Sequence, residues 1–303
     1  MQENPLVTII CLSYNHEKFV LETLNSVVNQ NYSPIELIIV DDCSSDATKS
    51  VIEDWLLSHS DARFIANKVN LGNTKSFNNA LKIAKGNYII DLAADDLLMP
   101  NGIQMQVDTF QKSAYKNLGI VYGNAEIINE NGSFNSFYFP VDANGKVITK
   151  RKTGDIYSSV LSSGDSICSV STLIKKDVFD FLGGYDETLG YEDLDSWIRA
   201  SRVYEFDFID AILIKKRIVS NSLGTHFFKK NNKINISTYK ILRKALKLNR
   251  SKVEDLALQK RVHYEIIHSF KNRSFNLLIK NIGLRIEISW RKNYKNSRLV
   301  LLI

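Results

Sequence analysis

The chain has 303 residues, of which 44% are hydrophobic and 24% charged, a composition typical of a globular protein. Its longest apolar runs, residues 6–12 and 299–303, are much shorter than the roughly 18 residues of a membrane-spanning helix. The start of the chain lacks the basic residues and cleavage site of a signal peptide, which predicts a cytoplasmic protein. Three widely spaced cysteines without a Cys-x-x-Cys pair argue against zinc ribbons and thioredoxin-like chemistry, and we expect buried or semi-buried free thiols.

The net charge of +6 is unevenly distributed along the chain. Residues 1–225 contain 20 Lys/Arg and 29 Asp/Glu, whereas residues 226–303 contain 19 Lys/Arg and 4 Asp/Glu. Opposite charges in two segments indicate two different roles. We therefore predict one domain over 1–225 and a basic segment over 226–303.

Strand-like and helix-like patterns alternate through the first half of the chain. Continuous apolar, β-branched runs at 6–12 and 36–40 predict buried strands, and shorter strands are predicted at 63–66 and 88–92. Apolar residues at helical spacing predict helices over 17–29, after residue 46, over 74–85 up to Gly86, and from Pro100 to an inward-facing Ala114. These units predict an α/β fold with a mostly parallel, twisted sheet that has helices on both faces.

The regularity weakens after a further apolar run at 120–128. Asn131-Gly132 and Asn144-Gly145 predict a hairpin or loops within 129–155, and residues 167–174 predict another strand. Gly183-Gly184 breaks the chain before an acidic helix that is expected to begin near Glu192. From about residue 231, helical spacing in a Lys- and Asn-rich sequence predicts two or three basic amphipathic helices.

Two pairs of acidic residues follow predicted parallel strands, Asp41-Asp42 after the second and Asp95-Asp96 after the fourth. Ligands bind beyond the carboxyl ends of strands in such sheets, so we expect both pairs at one edge. Crowded carboxylates repel unless a cation lies between them, and Mg²⁺ or Mn²⁺ binds such oxygens together with substrate phosphates. The sequence contains neither a dinucleotide-binding glycine motif nor a P-loop, which leaves carboxylates and a metal to hold phosphates.

A series of motifs in fixed order carries a family resemblance over roughly residues 5–220. They are VTIICLSYN at 7–15, ELIIVDD-x-S-x-D-x-T at 36–48, NLG at 70–72, the Asp95-Asp96 segment at 88–100, GGYDE at 183–187, and Glu192-Asp193 followed by Trp197 and Arg199. Together they resemble the family 2 glycosyltransferases. The resemblance implies a GT-A-like fold and an inverting sugar transfer from a nucleotide-sugar donor.

The resemblance also implies a set of nucleotide-binding residues. They are Leu12, Tyr14, Asn15, Asp42, Asn70, Asn78 and Asp95. Tyr14 is expected near the base, and Asp42 to accept a hydrogen bond from a ring N–H, which favours uracil or thymine. Asp95 is expected to contact the ribose or diphosphate. Asn70 and Asn78 correspond to positions near the nucleoside, although either could simply hold a turn or cap a helix.

For the metal, the resemblance points to Asp96, with Mn²⁺ or Mg²⁺ as the cofactor. The commoner form of the family motif has an acidic residue where this chain has Ala93, so one metal ligand is missing. Some relatives use a late histidine as an additional ligand. His226 is therefore a second candidate, with a surface or core histidine as the alternative.

The catalytic base implied by the resemblance is Asp193, which would accept the proton of the acceptor hydroxyl as that oxygen attacks the anomeric carbon. A bound cation would neutralise charge on the leaving nucleoside diphosphate. A single base opposite the leaving group implies inversion. Glu192 is the rival for this role, and Trp197 either packs beneath the acceptor site or belongs to the core.

Three interpretations of the basic segment remain open. Amphipathic helices can lie on an anionic membrane surface, and Trp290 within residues 284–294 fits this interpretation. Packing within a homo-oligomer is the second interpretation. Nucleic-acid binding is the third, but no recognition motif accompanies the charge, so we expect no nucleic-acid partner.

The sequence therefore predicts a glycosyltransferase that moves a sugar from a UDP- or dTDP-sugar to a saccharide or lipid-linked acceptor. We expect it to act in bacterial surface polysaccharide synthesis, at the inner face of the cell membrane. A sugar nucleotidyltransferase is one alternative, although a glycine-rich phosphate loop is absent at Ser13-Tyr14-Asn15. A catalytically degenerate transferase that serves as a membrane-associated assembly partner is the other.

Overall fold

The computed structural model describes residues 4–162, 167–219 and 232–291. These residues form two compact units. The first unit comprises residues 4–155, Cys168–Glu187 and Tyr204–Val219. The second comprises 156–162, residue 167, Thr188–Val203 and 232–291. The predicted domain boundary at 225/226 lies outside the described residues.

Nine strands and ten α-helices make up the described regions. The strands are β1 (Val7–Ser13), β2 (Ile35–Asp41), β3 (Arg63–Ala66), β4 (Tyr88–Ala93), β5 (Leu97–Leu98), β6 (Leu118–Ile128), β7 (Phe134–Phe137), β8 (Leu173–Lys175) and β9 (Glu205–Arg217). The helices are α1 (Val20–Val28), α2 (Thr48–Leu56), α3 (Asn73–Leu81), α4 (Gly102–Lys112), α5 (Tyr157–Ser162), α6 (Lys176–Leu182), α7 (Asp193–Ala200), α8 (Lys233–Leu248), α9 (Lys252–Lys271) and α10 (Phe275–Trp290).

All nine strands belong to one sheet in the first unit, in the order β3-β2-β1-β4-β8-β6-β9-β5, with β7 paired to β6. The strands from β3 to β4 are parallel, as predicted from their apolar runs. The other half is mixed, because β8 runs antiparallel to both β4 and β6 while β6 and β9 are parallel. The α/β prediction is confirmed. The antiparallel strands β7 and β8 come from the part of the chain with weaker periodicity, and the two-residue β5 pairs antiparallel with β9.

Strand β1 is the centre of the parallel half. Every one of its seven residues is buried, and it pairs with β2 on one side and β4 on the other. A strand with partners on both sides and covered faces requires a continuous apolar run, which is the pattern that predicted it.

Some predicted elements differ in extent. Helix α3 ends at Leu81, and Gly86 lies against β1, where a Cβ would come within 2.5 Å of the Thr8 nitrogen. The strand predicted at 167–174 is a 3₁₀ turn, Ser169–Ser171, followed by β8. Hydroxyl groups explain the turn, because Thr172 Oγ1 donates to the Ser169 carbonyl at 2.8 Å, a local alternative to strand pairing. Ala114 is exposed beyond the end of α4.

The predicted hairpin is confirmed, and the prediction for the cysteines is confirmed for two of the three. The hairpin at Asn131-Gly132 is present, since β7 pairs antiparallel with β6 and Gly132 has φ 82°. Cys11 and Cys168 are buried free thiols as expected, whereas Cys43 is exposed.

The second unit contains helices α5 and α7–α10. The three helices predicted from the basic segment are α8, α9 and α10, and their buried residues include Ile241, Leu258 and Leu284. Within the described residues, no helix combines the length and apolar character needed to cross a membrane.

Candidate active site

The two acidic pairs lie at one edge of the sheet. Strand β1 separates β2 from β4, and just beyond the paired residues the Asp42 nitrogen donates to the Ser13 carbonyl at 2.9 Å. On the other side the Ala94 nitrogen donates to the Leu12 carbonyl, also at 2.9 Å. Because β1 lies between them, the backbones of β2 and β4 are two strand spacings apart, on the order of 10 Å. The backbone therefore brings both pairs to the carboxyl end of β1, as the parallel-sheet argument predicted.

Asp42 organises the loop that precedes α3. Its Oδ1 accepts from Asn67 Nδ2 (2.8 Å), the Leu71 nitrogen (2.8 Å) and Ser76 Oγ (2.9 Å), and its Oδ2 accepts from the Gly72 nitrogen at 2.8 Å. Gly72 has φ 84°, which explains the glycine in the NLG motif. Because an ionised carboxylate offers about four acceptor positions, Oδ2 is the oxygen with capacity for a further donor such as a base N–H.

Tyr14 and Asn15 lie in the loop after β1. Asn15 has φ 58°, and its Oδ1 accepts from the Ser45 nitrogen at 2.8 Å, while its own nitrogen donates to Ser44 Oγ at 2.9 Å. Asn15 therefore ties this loop to the loop after β2. The Tyr14 side chain is 47% exposed at the same edge, the exposure expected of a ring that stacks on a ligand.

The other predicted nucleotide-binding residues differ in burial and in their contacts. Asn70 is exposed, whereas Leu12 is buried within β1. Asn78 is buried, and its amide forms a pair of hydrogen bonds, at 2.9 Å each, with the backbone N–H and C=O of Tyr185. A Cβ at Gly184 would lie 2.6 Å from Asn78 Oδ1, which explains a glycine of the GGYDE motif. Asn78 thus holds a turn, and its contact with a nucleotide stays a prediction.

Asp95 and Asp96 are both buried, Asp96 to 3% exposure. Asp96 Oδ1 accepts from the Arg217 nitrogen at 2.8 Å. Burial and then the neighbouring Asp95 raise the pKa of Asp96 to about 8, although Arg217 and Lys216 act in the opposite direction. A buried carboxyl beside another carboxyl is an environment that a cation would relieve.

The two carboxyls fit a hard divalent cation, because Mg²⁺ and Mn²⁺ prefer oxygen ligands and often bind through one or two carboxylates plus phosphates. Across residues 4–162, 167–219 and 232–291, no three His, Cys, Asp or Glu side chains converge as a metal site. His226 lies outside the described residues.

Arg217 is a residue of this site that the sequence did not single out. Its buried guanidinium donates from Nε to the Asp95 carbonyl (3.0 Å), from Nη1 to the Glu130 carbonyl (3.0 Å), and from Nη2 to Glu22 Oε2 (2.6 Å). It also lies 4.9 Å from the centre of the Phe19 ring. Arg217 therefore connects the acidic pair with α1 and with the β6–β7 hairpin. A basic residue at the end of a strand on the ligand edge is the signal that could have indicated it.

A pocket of about 460 Å³ opens beside this arginine. It is lined by Lys18, Phe19, Glu22, Glu130, Asn131, Gly132 and Arg217. Charged groups of both signs and the Phe19 ring line this open pocket.

The predicted base and acceptor-side residues belong to the second unit. Asp193 is the first residue of α7, and the preceding Glu192 carbonyl accepts from Ser196. Asp195 is buried and forms ion pairs with Arg199 Nε and Lys244 Nζ, both at 2.8 Å. Asp195 therefore has a structural role within the second unit, and the assignment of Asp193 as base, with Glu192 as its rival, stays a prediction. Trp197 is buried as a core residue, so its acceptor-side role stays a prediction.

Replacement of Asn78 tests its turn-holding role. Asn78→Ala should lower the free energy of unfolding by about 1–3 kcal/mol, because buried backbone groups of Tyr185 lose their partners. Urea denaturation monitored by fluorescence measures this loss. Asn79→Ala, on the same helix, removes only an exposed bond from Lys82 and serves as the control. Equal free energies of unfolding for Asn78→Ala and Asn79→Ala would contradict the turn-holding role of Asn78.

The raised pKa of Asp96 predicts a pH-dependent gain in stability for Asp96→Asn. Because the folded carboxyl binds a proton up to pH about 8 and the unfolded one only up to about 4, its ionisation lowers stability as pH rises between these values. Asparagine keeps the acceptor for the Arg217 nitrogen without the charge. The variant should therefore have a higher melting temperature than the wild type at pH 8.5. In domains of about 150–250 residues, each kcal/mol gained in the free energy of unfolding raises the melting temperature by about 2–4 °C.

Thermal melts at pH 5 and 8.5 in a metal chelator measure the effect. The exposed Asp108 is the control, since hydrogen bonds from Lys112 and then Gln104 lower its pKa, so Asp108→Asn should gain nothing at pH 8.5. A gap between Asp96→Asn and wild type that is the same at both pH values would refute the burial argument.

Comparison with known proteins bears on the family and the fold. The sequence matches the model described as glycosyl transferase family 2 over residues 8–179. An uncharacterised glycosyltransferase of Rickettsia bellii is 32% identical over 254 residues, which cover 84% of this chain and 36% of the relative. Chondroitin synthase of Escherichia coli is 28% identical over 209 residues, covering 69% of this chain and 28% of the relative. The chain thus spans well under half of these relatives.

Solved structures with a similar fold include the S. aureus protein TarS (residues 1–349) in complex with UDP-GlcNAc. It has a TM-score of 0.70 at 16% identity, covering 93% of this chain and 81% of that chain. A mannosyltransferase of Pyrobaculum calidifontis in complex with GDP-Man and Mn²⁺ has a TM-score of 0.59 at 15% identity, with coverages of 96% and 89%. The similarity confirms the predicted GT-A-like fold.

Proposed function

The chain belongs to glycosyl transferase family 2, and we propose that it transfers a sugar from a UDP- or dTDP-sugar to a hydroxyl group of a saccharide or lipid-linked acceptor, with inversion. The observation that carries this proposal is the convergence of Asp42 with Asp95-Asp96 at the carboxyl end of β1. Few ligands require several acidic groups at one edge of a sheet, and a nucleoside diphosphate that binds together with a divalent cation is one of them.

The donor base would lie between Tyr14 and Asp42. The exposed Tyr14 ring offers a stacking surface, and Asp42 Oδ2 has acceptor capacity for an imide N–H, which uracil and thymine present. TarS was solved with UDP-GlcNAc and the P. calidifontis enzyme with GDP-Man. Uridine and guanosine donors are therefore both found with this fold. Guanine presents a ring N–H as uracil does, so our choice of uridine or thymidine is tested by the titrations below.

Asp96, with Asp95, would hold Mn²⁺ or Mg²⁺, and Asp95 would also contact the ribose or diphosphate. When bound, the cation supplies charge neutralisation for the leaving diphosphate. Arg217 acts from the protein side: its bond to the Asp95 carbonyl and its nitrogen bond to Asp96 hold both residues in place. Two protein carboxylates are enough if phosphate oxygens and water complete the coordination.

Asp193 is proposed as the general base. Carboxylates are stabilised near helix N-termini, and Asp193 begins α7. In the reaction, the acceptor oxygen forms a bond to the anomeric carbon and its proton passes to the carboxylate. The bond between that carbon and the diphosphate oxygen breaks on the opposite face, and the electron pair leaves with the nucleoside diphosphate. Attack opposite the leaving group inverts the anomeric configuration.

The acceptor class follows from chemistry and from one relative. Chondroitin synthase is named for a polysaccharide product, which supports a growing bacterial surface polysaccharide as the acceptor. A cytoplasmic enzyme acting on a lipid-linked saccharide needs to meet the membrane surface, so we also propose a peripheral position on the inner face.

Nucleotide binding tests the acidic edge. UDP and dTDP should bind more tightly with Mn²⁺ than without it, and more tightly than GDP, in isothermal titration calorimetry. Asp96→Ala should lose most of the Mn²⁺-dependent gain, because the cation loses a ligand, whereas the exposed Asp108→Ala should keep it. Unchanged UDP affinity in Asp96→Ala would remove Asp96 from the metal site.

Turnover tests the base. Asp193→Asn should reduce transfer by about 10²–10⁴-fold, because the acceptor proton loses its carboxylate, while UDP affinity stays nearly unchanged. Release of nucleoside diphosphate from a donor and acceptor panel measures the loss, with Glu192→Gln in parallel. Full activity in Asp193→Asn, together with loss in Glu192→Gln, would transfer the role to Glu192.

A further inference from the structure

Helix α10 has apolar side chains on two opposite faces. One face, which includes Leu277, Leu284 and Ile288, is buried within the second unit. The other face is exposed, and we call its five residues the α10 stripe: Phe275, Ile279, Ile282, Ile286 and Trp290. Their exposure runs from 42% for Ile282 to 77% for Trp290. A helix of a globular protein normally has one apolar face, so the second needs an explanation.

The stripe is continuous along the helix. Its residues are spaced by 4, 3, 4 and 4 positions, which keeps them on one side over all four turns. At 1.5 Å per residue the stripe is about 22 Å long. The sequence had pointed to residues 284–294, but Leu284 and Ile288 belong to the buried face. Only the packing shows which apolar residues remain outside.

Helix α9 lies beside α10. Arg285 Nη1 lies 2.9 Å from His263 Nδ1, and Asn281 Nδ2 donates to Ser269 Oγ at 3.3 Å. These contacts set the helices side by side and antiparallel, so that Ile267 is level with the middle of α10. Ile267 and Phe270 are both exposed. The neighbouring helix thus also has exposed apolar side chains.

The charge around the α10 stripe is positive. Residues 232–291 contain 14 Lys/Arg and 4 Asp/Glu. Each of these acids forms an ion pair with an arginine: Glu254 with Arg202, Asp255 with Arg291, Glu265 with Arg261, and Glu287 with Arg243. On α10, Lys280 and Arg285 flank the stripe on opposite sides, and Lys271 and Arg273 lie at the turn next to Phe275. An excess of exposed positive charge surrounds an apolar centre.

We propose that the α10 stripe docks on the surface of an anionic lipid bilayer. The helix would lie in the plane of the interface with the five apolar side chains among the acyl chain ends. Lys280 and Arg285 would extend to lipid phosphates on either side. Trp290 has the amphipathic ring that is favoured at this depth. The surface stands independently of the transferase chemistry, and only its pairing with a lipid-linked acceptor rests on the proposed function.

Charge decides between lipid and a second copy of the chain. Residues 232–291 contain 14 Lys/Arg and 4 Asp/Glu, so two copies of this segment placed face to face would repel each other. Glu287, the acid on the Lys280 side of the stripe, is already paired with Arg243. An anionic bilayer instead gains attraction from Lys280 and Arg285. Nucleic acid would use the charge but leave the apolar centre in water.

Vesicle binding by the full chain tests the proposal. Vesicles of phosphatidylcholine with 30% phosphatidylglycerol should bind the wild type in flotation assays, more tightly than pure phosphatidylcholine and less tightly at high salt. The double variant Ile279→Ser/Ile286→Ser should bind at least 10-fold more weakly to both. Lys280→Gln/Arg285→Gln should lose most of the preference for the anionic lipid. Leu57→Ser/Ile148→Ser, which changes two exposed apolar residues of the first unit, should bind as the wild type does.

Tryptophan fluorescence reports the docked face directly. Trp55 and Trp197 are buried, whereas Trp290 is exposed, so a blue shift on adding anionic vesicles should disappear in Trp290→Phe. Far-ultraviolet circular dichroism and thermal melts on the same samples show that the variants are folded, so this test does not depend on nucleotide binding. Calorimetry with UDP and Mn²⁺ is run in parallel, so that a failure of the transferase proposal is seen separately.

Absence of wild-type vesicle binding would overturn the proposal, as would binding that survives Ile279→Ser/Ile286→Ser. A wild-type dimer in analytical ultracentrifugation that this variant converts to a monomer, without vesicle binding by either protein, would assign the stripe to a second copy.

Discussion

The parallel pairing of β1 with β2 and β4 is the constraint on which the candidate site depends. Because the three strands run in the same direction, their carboxyl ends meet, and Asp42 and Asp95-Asp96 follow them. The arrangement is unfavourable by itself, since buried neighbouring carboxyls raise the pKa of Asp96. A sheet edge of this kind gains stability when a cation and a diphosphate arrive, which makes ligand binding and local stability two aspects of the same electrostatics.

The protein offsets part of this cost through hydrogen bonds. Asp42 is surrounded by donors from its own loop, while Arg217 donates to the Asp95 carbonyl and to Asp96 Oδ1 and pairs its charge with Glu22. These contacts fix the positions of the carboxyl groups, and the raised pKa of Asp96 reflects the cost of ionising it that they leave in place. A cation that replaces the proton on Asp96 therefore finds its ligands already positioned.

In the second unit, one set of helices performs two tasks. Inner faces of α8, α9 and α10 form a core, and all four acids of residues 232–291 are held in ion pairs with arginine. Outward, α10 presents an apolar stripe within a basic surround. The composition of this segment alone is compatible with several partners, and the separation of apolar residues between an inner and an outer face is what favours a lipid surface.

The sequence by itself determined the parallel strands, the three basic helices and the edge on which Asp42, Asp95 and Asp96 lie, because buried parallel strands and amphipathic helices leave local periodic patterns. Only the tertiary structure decided the roles of Asn78, Asp195 and Arg217, whose partners lie 107, 49 and up to 195 residues away. It also decided which apolar residues of α10 remain exposed. Long-range hydrogen bonds and burial depend on which elements pack together, and no local spacing records that choice.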